Sequence, residues 1–312
     1  MRLVPPTWLV AFGIALCAPW GVALLRARPR ALRAVALALC AVPLAIPVEH
    51  SVFRLFACIG LGTMCVKSFI AAAGHVPAPC YADFVAYLIV PAVTRWDAPR
   101  RRDWTRIARG VALGCLQVST GLALMIVAVR LELRHGAAVV PLKQIELYLL
   151  IAGMANVAVA GLRATRGVDC DDAFHAPLLA TSPADFWGRR WNTWVNATLY
   201  RYVFRPAGGR RQPARGTMAA FLVSGLVHEA MVDVASASFT GAMTAYFLLQ
   251  GAAVAATSGW RPFRRLAAHV PAAAWLVTLT FMAVSGAIFV RGLDTAWDLH
   301  AEMAALLRSW RW

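Results

Sequence analysis

The chain has 312 residues, of which 60% are hydrophobic and only 15% charged, and its formal net charge is +16. A soluble domain carries about 25% charged residues, so this composition excludes an ordinary soluble class and favours a single integral-membrane domain over residues 1–312. Almost all of the positive charge is arginine in short loops between apolar runs, which indicates membrane orientation and not nucleic-acid binding.

Eight apolar segments are long enough to be interpreted as membrane-spanning helices, because a bilayer core needs about 20 apolar residues per helix. In chain order they are residues 3–25, 34–48, 52–73, 110–129, 145–162, 216–237, 240–260 and 270–290. Two further stretches, 81–93 and 174–206, have too little continuous apolar length to cross and fit interfacial or re-entrant pieces. The predicted fold class is therefore all-α, a polytopic transmembrane helical bundle.

The distribution of basic residues predicts the orientation. Residues 3–25 have a weak positive flank and no A-x-A site before the basic elbow that follows, so we expect an uncleaved helix and not a signal peptide. Counted over alternate loops, one side holds 22 Lys and Arg residues, in the elbows 26–33, 95–109, 163–215 and 261–265, and the other side holds 8. The positive-inside rule then predicts that residues 163–215 are cytoplasmic and both termini are outside.

Composition gives three further expectations. The seven cysteines show no C-x-x-C spacing and most lie in apolar runs, so we interpret them as small core residues and predict no metal site. The arginine and alanine bias is typical of a high-GC genome, and we expect a multi-pass protein of a bacterial plasma membrane rather than of the endoplasmic reticulum. The sequence gives no indication of the oligomeric state.

His228 is the first candidate functional residue, because it lies deep in the apolar segment 216–237. An ionisable group at that depth is costly without partners and indicates a functional site. Ser224 precedes it by four residues and shares its helix face. A neutral imidazole, with an unperturbed pKa of about 6.5, can take a proton from an alcohol near neutral pH. The alternative is a core histidine that donates to a carbonyl.

Glu229 and Asp233 are four residues apart and share a helix face different from that of His228. They could pair with arginines or bind polar groups of a substrate, and packing at the outer membrane boundary is the alternative for Asp233. The pair His228–Glu229 is not the start of a zinc-protease motif, since no second histidine follows at i+4. Two other function classes stay open: a transporter or proton pathway that uses these three groups as a relay, and a non-catalytic lipid-binding scaffold.

The segment 185–192 follows Thr181-Ser182-Pro183-Ala184, which is typical of the N-cap region of a short helix. Its arginines offer planar donors for phosphates, its tryptophans favour a membrane interface, and its asparagine offers an uncharged amide. An interfacial amphipathic helix on anionic lipid is the alternative. The candidate binding residues of the segment are Asp185, Trp187, Arg189, Arg190, Trp191 and Asn192.

Three motifs stand in order in this region: Phe-His-Ala-Pro-Leu at 174–178, Asp-Phe-Trp-Gly-Arg-Arg-Trp-Asn at 185–192 and Ser-Gly-Leu-Val-His-Glu at 224–229. Their order and spacing resemble the wax synthase branch of the membrane-bound O-acyltransferase family. The resemblance implies a helical bundle that encloses a tunnel, with acyl-CoA entering from the cytoplasm. It also implies that His228 is the catalytic histidine and Asn192 its polar companion. The segment 202–206 departs from the Val-Tyr-x-Pro common in relatives.

The implied reaction is transfer of an acyl group from acyl-CoA to the hydroxyl of a lipophilic alcohol, with acyl-CoA as co-substrate and no other cofactor. The expected partners are these two substrates and membrane lipid. In this hypothesis His228 takes the alcohol proton and Asn192 orients the acceptor or stabilises the oxyanion. Ser224 and Glu229 join the residues of 185–192 in substrate binding, with Arg189 and Arg190 on the CoA phosphates. Ser224 as a nucleophile is an alternative, although no acid is evident to complete a triad.

Overall fold

The computed structural model describes residues 6–74, 80–90, 102–133, 139–167 and 172–309. Regular structure in these ranges is helical and includes no strand, which confirms the all-α class. The helices of the described ranges are α1 (Thr7–Ala23), α2 (Pro29–Leu39), α3 (Ser51–Ala72), α4 (Tyr81–Ile89), α5 (Trp104–Arg130), α6 (Val139–Arg166), the single turn α7 (Pro183–Asp185), α8 (Thr193–Leu199), α9 (Pro213–Ser236), α10 (Ala242–Gly259), α11 (Arg261–His269), α12 (Pro271–Asp294) and α13 (Leu299–Ser309).

Among the described residues, five helices are long and apolar enough to cross a membrane, as a polytopic bundle requires. They are α5, α6, α9, α12 and α3, the last together with the preceding turn Val48–His50. The apolar helix α1 has 17 residues, and α10 has 18 residues with the polar Gln250 in its interior. The total of eight spans, the enclosed tunnel and the cytoplasmic side of residues 163–215 remain predictions. Residues 3–5 of the predicted first span lie outside the described residues.

The predicted second span over residues 34–48 is not one continuous helix in the structure. Helix α2 begins earlier, at Pro29, whose fixed φ and missing N–H suit the first turn of a helix. It ends at Leu39, and Pro43 and Pro47 then divide the chain into a short 3-10 turn and an extended step. Proline has no N–H to donate to the preceding turn, so a helix cannot run through both positions without losing hydrogen bonds.

Helix α4 has only nine residues and packs against α1 and α3, which agrees with the non-crossing prediction for residues 81–93. Residues 91–93 lie outside the described residues. Lys67 of α3, a charge within a predicted span, donates hydrogen bonds to the carbonyl oxygens of Tyr87 and Val90 at the end of α4. Its ammonium also lies 4.6 Å from the centre of the Tyr87 ring. The positive charge of Lys67 thus stabilises the carboxyl end of α4.

Helices α5 and α6 form a closely packed pair because two glycines face each other across it. A Cβ added to Gly114 would lie 2.7 Å from the carbonyl oxygen of Gly153, so only glycine permits this approach. Both helices extend beyond their predicted spans. α5 begins at Trp104, within the predicted basic elbow 95–109, and Asp103 caps it by accepting a hydrogen bond from the amide of Arg106 at 3.0 Å. Residues 95–101 of that elbow lie outside the described residues.

Helices α9 and α10 pack side by side, and α10 also packs against α12. Small residues again allow close contact: a Cβ on Gly225 would lie 3.0 Å from Cα of Thr244, and one on Gly251 would lie 2.8 Å from Cβ of Phe221. The predicted elbow 261–265 is part of the helix α11 rather than a loop. Helix α9 holds Ser224, His228 and Glu229 of the candidate site, and α10 packs beside it.

A cluster of ionisable side chains joins α6 to α12 and α13. The Lys143 ammonium lies 2.9 Å from carboxylate oxygens of both Asp294 and Asp298, and Nε2 of His300 lies 2.8 Å from a carboxylate oxygen of Glu146. Glu146 is fully buried and His300 is 6% exposed. Ionisable groups buried to this degree require partners. Here the partners of the two α6 side chains lie in the segment 294–300.

Candidate functional site

The segment that contains the second motif is a compact loop held by local caps. The Ser182 hydroxyl accepts a hydrogen bond from the amide of Asp185 at 2.9 Å, which confirms the predicted N-cap. The chain then makes a π-helical turn over Phe186–Arg190. Asn192 adopts a left-handed conformation with φ of 42°, and α8 follows directly. π-helical turns are rare and often occur at functional sites.

Asp185 and Arg190 bind each other across this loop. Nε of Arg190 donates to Oδ2 of Asp185 at 2.7 Å, and a second guanidinium nitrogen donates to the carbonyl oxygens of His175 and Ala176, both at 3.2 Å. The first and second motifs are therefore fastened together by one guanidinium. Arg189 is exposed and has no hydrogen bond to this network among the described residues. The two arginines predicted as a phosphate clamp thus have different surroundings, and both phosphate roles remain predictions.

The aromatic side chains of the loop pack inside the protein. Phe186 and Trp194 are 8% and 7% exposed, and Trp191 stacks on Phe186 with ring centres 5.3 Å apart. Trp191 also contacts Phe174 edge to face at 5.1 Å. A purely interfacial helix with its aromatics among lipid headgroups does not describe this arrangement. The rings instead bind the loop to the helical bundle.

Trp187 connects the loop to α10 and α12 by a buried hydrogen-bond chain. Its indole nitrogen donates to Oε1 of Gln250 at 3.0 Å, and Nε2 of Gln250 donates to the hydroxyl of Ser285 at 2.8 Å. That hydroxyl donates onward to the carbonyl of Phe281 at 2.6 Å. Gln250 is fully buried. Sequence reasoning missed Gln250 and Ser285, although a lone glutamine inside the apolar segment 240–260 was a usable signal, since a buried amide needs partners.

His228 is half-buried on α9 and has one ring nitrogen engaged. Nδ1 lies 2.7 Å from the carbonyl oxygen of Ser224, and a carbonyl can only accept, so Nδ1 carries the proton. In the neutral ring Nε2 is then the basic nitrogen. The predicted common face of Ser224 and His228 is confirmed, but the contact uses the backbone. In the described structure the Ser224 hydroxyl makes no hydrogen bond to the His228 ring. This disfavours Ser224 as a nucleophile.

Glu229 fastens α9 to the start of α10. Its carboxylate accepts hydrogen bonds from the amide of Thr244 at 2.8 Å and from the hydroxyl of Thr240 at 3.1 Å. The amide of Thr244 belongs to the first turn of α10, whose N-cap residue, Gly241, has no side chain to offer. Glu229 is 3% exposed, and within the described residues its partners are these threonines and not arginines; its role in substrate binding stays a prediction.

Asn192 caps α8 and does not bind His228 directly. Its Oδ1 accepts a hydrogen bond from the amide of Val195 at 3.4 Å, and no hydrogen bond joins the Asn192 amide to His228 in the described structure. His228 is instead linked through rings to Trp187 of the motif loop: Phe247 lies 4.5 Å from the His228 ring and 5.8 Å from Trp187, centre to centre. Phe247 therefore brings the predicted base and the motif loop to one place in the bundle.

Metal ligands are not clustered in the described part of the chain, where no group of three His, Cys, Asp or Glu side chains could hold an ion. Two carboxylate oxygens, Oε1 of Glu146 and Oδ1 of Asp233, are buried without a hydrogen-bond partner among the described residues.

The fold and the site define a polytopic membrane protein with a half-buried imidazole beside an aromatic loop. Residues 170–249, which contain most of both elements, match the model of the "Membrane bound O-acyl transferase family". The resemblance to the wax synthase branch is therefore confirmed, and it falls on the segment that carries the motifs.

Several curated proteins are similar to this chain. "Probable long-chain-alcohol O-fatty-acyltransferase 7" of Arabidopsis thaliana is 32% identical over 157 residues, which cover 46% of each chain. "Long-chain-alcohol O-fatty-acyltransferase" of Simmondsia chinensis is 37% identical over 102 residues, 30% of this chain and 29% of that protein. "Acyl-CoA--sterol O-acyltransferase 1" of Arabidopsis thaliana is 33% identical over 98 residues, 29% and 28% of the two chains. The chain thus matches somewhat less than half the length of these relatives.

Proposed function

We propose that this protein is a membrane-bound O-acyltransferase that transfers an acyl group from acyl-CoA to the hydroxyl of a lipophilic alcohol and so forms an ester. The observation that carries the proposal is the position of His228 within the matched segment: Phe247 contacts both its ring and Trp187 of the motif loop, and with Nδ1–H bound to the Ser224 carbonyl the basic nitrogen is Nε2. The matched family segment 170–249 supports the reaction class.

The reaction proceeds in one transfer step without an acyl-enzyme. Nε2 of His228 takes the proton of the alcohol as its oxygen attacks the thioester carbonyl. The tetrahedral intermediate collapses, the carbon–sulfur bond breaks, and the CoA thiolate takes the proton from the imidazolium. The carbonyl of Ser224 stabilises the imidazolium, because the Nδ1–H bond to it becomes charge-assisted when the ring is protonated.

Asn192 stabilises the oxyanion or orients the acceptor in this proposal. Its Oδ1 is occupied by the cap of α8, so its Nδ2 is the group that can donate. A donor aimed at a developing oxyanion is typically worth about 3 kcal/mol in a dry site. Arg189, which is exposed, binds CoA phosphates, whereas Asp185 and Arg190 fix the loop that presents Asn192.

The substrates are proposed from the relatives' names, which describe long-chain alcohols and a sterol as acceptors and, for the sterol enzyme, acyl-CoA as donor. A relay of His228, Glu229 and Asp233 for transport is disfavoured by Glu229, since Thr240 and Thr244 already occupy its carboxylate. For the compartment we keep a bacterial plasma membrane with residues 163–215 on the cytoplasmic side. The plant relatives give this choice no support, and fractionation with accessibility labelling of loop cysteines tests it.

The deciding experiment assays the purified full-length protein with labelled acyl-CoAs and a panel of fatty alcohols and sterols. Wild type should form ester, and His228→Ala should lose at least about 100-fold, the usual contribution of a general base. His269→Ala is the matched control, because this exposed histidine lies on α11 and should leave the rate unchanged. Equal activity of His228→Ala and wild type would refute the mechanism, and transport without any thioester donor would favour the alternative class.

A further inference from the structure

Tyr246 is a buried tyrosine of α10 whose hydroxyl has no partner in the described structure. The residue is 7% exposed, and its hydroxyl makes no hydrogen bond to any described residue. The described polar atoms that are fully enclosed without a partner do not include this oxygen, so it borders open space although the residue is buried. A buried tyrosine hydroxyl usually finds a hydrogen-bond partner. Here the donor is left over and is available to a bound molecule.

Tyr246 and the proposed base His228 contact the same two phenylalanine rings. Phe247 lies 4.5 Å from the His228 ring and 5.2 Å from the Tyr246 ring, centre to centre. Phe289 of α12 lies 6.5 Å from His228 and 5.3 Å from Tyr246. The centres of the His228 and Tyr246 rings are therefore no farther apart than the two steps through Phe247 taken together. That separation is short enough for one substrate molecule to contact both side chains.

The Tyr246 ring is fixed in place by its neighbours. Trp187 of the motif loop lies 6.4 Å from it, in addition to the two phenylalanine rings. Gln250 follows Tyr246 by four residues on the same face of α10 and accepts the indole hydrogen bond of Trp187 at 3.0 Å. A hydrogen-bond donor contributes most to catalysis when it is fixed before the reaction begins, and its bonds are stronger among apolar rings than in water.

A hydroxyl donor at this place suits the thioester carbonyl better than the alcohol. In the proposed reaction the alcohol oxygen must stay electron-rich to attack, and a hydrogen bond donated to it would lower its nucleophilicity. The carbonyl oxygen instead gains negative charge during the attack, so a hydrogen bond to it strengthens in the transition state. The phenol keeps its own proton throughout, and His228 alone carries the proton from the alcohol to the leaving thiolate.

We propose that Tyr246 is a further catalytic residue, whose hydroxyl donates a hydrogen bond to the carbonyl oxygen of the acyl thioester and stabilises the oxyanion of the tetrahedral intermediate. This role rests on the proposed acyltransferase function and specifies how that site recognises its acyl donor. Asn192 then either supplies a second donor to the same oxygen or orients the alcohol.

The test compares Tyr246→Phe with the wild type, in the full-length protein and with the acyl-CoA and alcohol that the wild type esterifies best. Loss of one oxyanion donor typically lowers kcat by about 100-fold, and Tyr246→Phe should lose about this factor. Its unfolding temperature should not fall, because the hydroxyl has no partner in the described structure whose bond would be broken.

Tyr87→Phe is the matched control, because it also removes the hydroxyl of a buried tyrosine, here one that donates to the carbonyl of Lys67 at 3.0 Å. Tyr87 lies on α4, away from His228, so this variant should lower the unfolding temperature and keep kcat. The two variants thus have opposite expected effects. If Tyr246→Phe keeps the wild-type kcat, or loses kcat only together with an equally lowered unfolding temperature, the catalytic role is wrong.

A second readout does not need turnover. A ketone analogue of acyl-CoA, in which a methylene group replaces the thioester sulfur, carries an isotope-labelled carbonyl whose stretching frequency is measured by infrared spectroscopy. The frequency should be lower on the wild type and on Tyr87→Phe than on Tyr246→Phe, and equal frequencies would overturn the contact. A wild type that binds the ketone but forms no ester from any acyl-CoA would refute the proposed function, and the carbonyl frequency would then decide the Tyr246 contact by itself.

Discussion

The hydrogen bond between Trp187 and Gln250 should be measurable as a coupling energy. Trp187→Phe removes the indole donor, and Gln250→Leu removes its acceptor from a fully buried position. Each single variant leaves one polar group without a partner, which costs about 1–3 kcal/mol when the group is buried. The double variant removes both groups, so it should be less destabilised than the sum of the two single variants.

The expected coupling is about 1 kcal/mol. Ser285 limits the loss in Gln250→Leu, because its hydroxyl keeps its own bond to the Phe281 carbonyl at 2.6 Å. Side-chain hydrogen bonds between membrane helices have measured couplings that average about 0.6 and reach about 1.7 kcal/mol, and the full burial of Gln250 favours the upper half of that range.

The assay is equilibrium unfolding of the purified protein in mixed micelles, followed by circular dichroism. Gln117→Leu serves as the control partner, since Gln117 bonds to Asn156 at 2.7 Å and not to Trp187. Its cycle with Trp187→Phe should be additive within about 0.5 kcal/mol. If the Trp187–Gln250 cycle is equally additive, the buried chain contributes no specific energy and the anchoring of the loop through Gln250 is refuted.

Three further predictions concern helix contacts. Glu229→Ala should destabilise the protein by about 1–2 kcal/mol in thermal unfolding, because the start of α10 loses the side chain that accepts its hydrogen bonds. Asp233→Ala should destabilise it less, and the reverse order would contradict the capping role of Glu229. Gly114→Ala should destabilise the protein, since the added Cβ would meet the backbone of Gly153. Gly161→Ala, which has open space within 4 Å, should stabilise it by up to about 1 kcal/mol. Similar changes in the two variants would argue against the close contact of Gly114 with Gly153. Burial raises the pKa of Asp298, but hydrogen bonds and the charge of Lys143 outweigh it and hold the pKa below its usual value. The stability from that pair is therefore present at neutral pH and lost as the pH falls through the lowered pKa, and Lys143→Met should remove this part of an acid-unfolding profile.

Local features of this chain were predictable from its sequence. Five of the apolar segments, the Ser182 cap and the common face of Ser224 and His228 depend on residues close in sequence, and the described structure contains them. The broken second span was predictable in principle, because Pro43 and Pro47 were visible at its end. A hydropathy average does not show the break, because two prolines change the mean of a long apolar segment very little although they interrupt its helix.

Contacts between distant segments were not predictable in the same way. The ion pair between Asp185 and Arg190 was not predictable, because a charged residue in a motif carries no sign of an internal partner. Glu229 binds the start of α10, fifteen residues later, and Gln250 reaches Ser285 on a third helix. Such pairs follow from the packing of helices, which the pattern of a single helix does not determine.

The ionic cluster of α6 has a consequence for biosynthesis. Within the described residues, Lys143 and Glu146 bind Asp294, Asp298 and His300, some 150 positions later in the chain. While the ribosome is still translating the intervening part, α6 lacks these partners. We therefore expect α6 to be held less firmly in the membrane until the segment 294–300 has been inserted beside it.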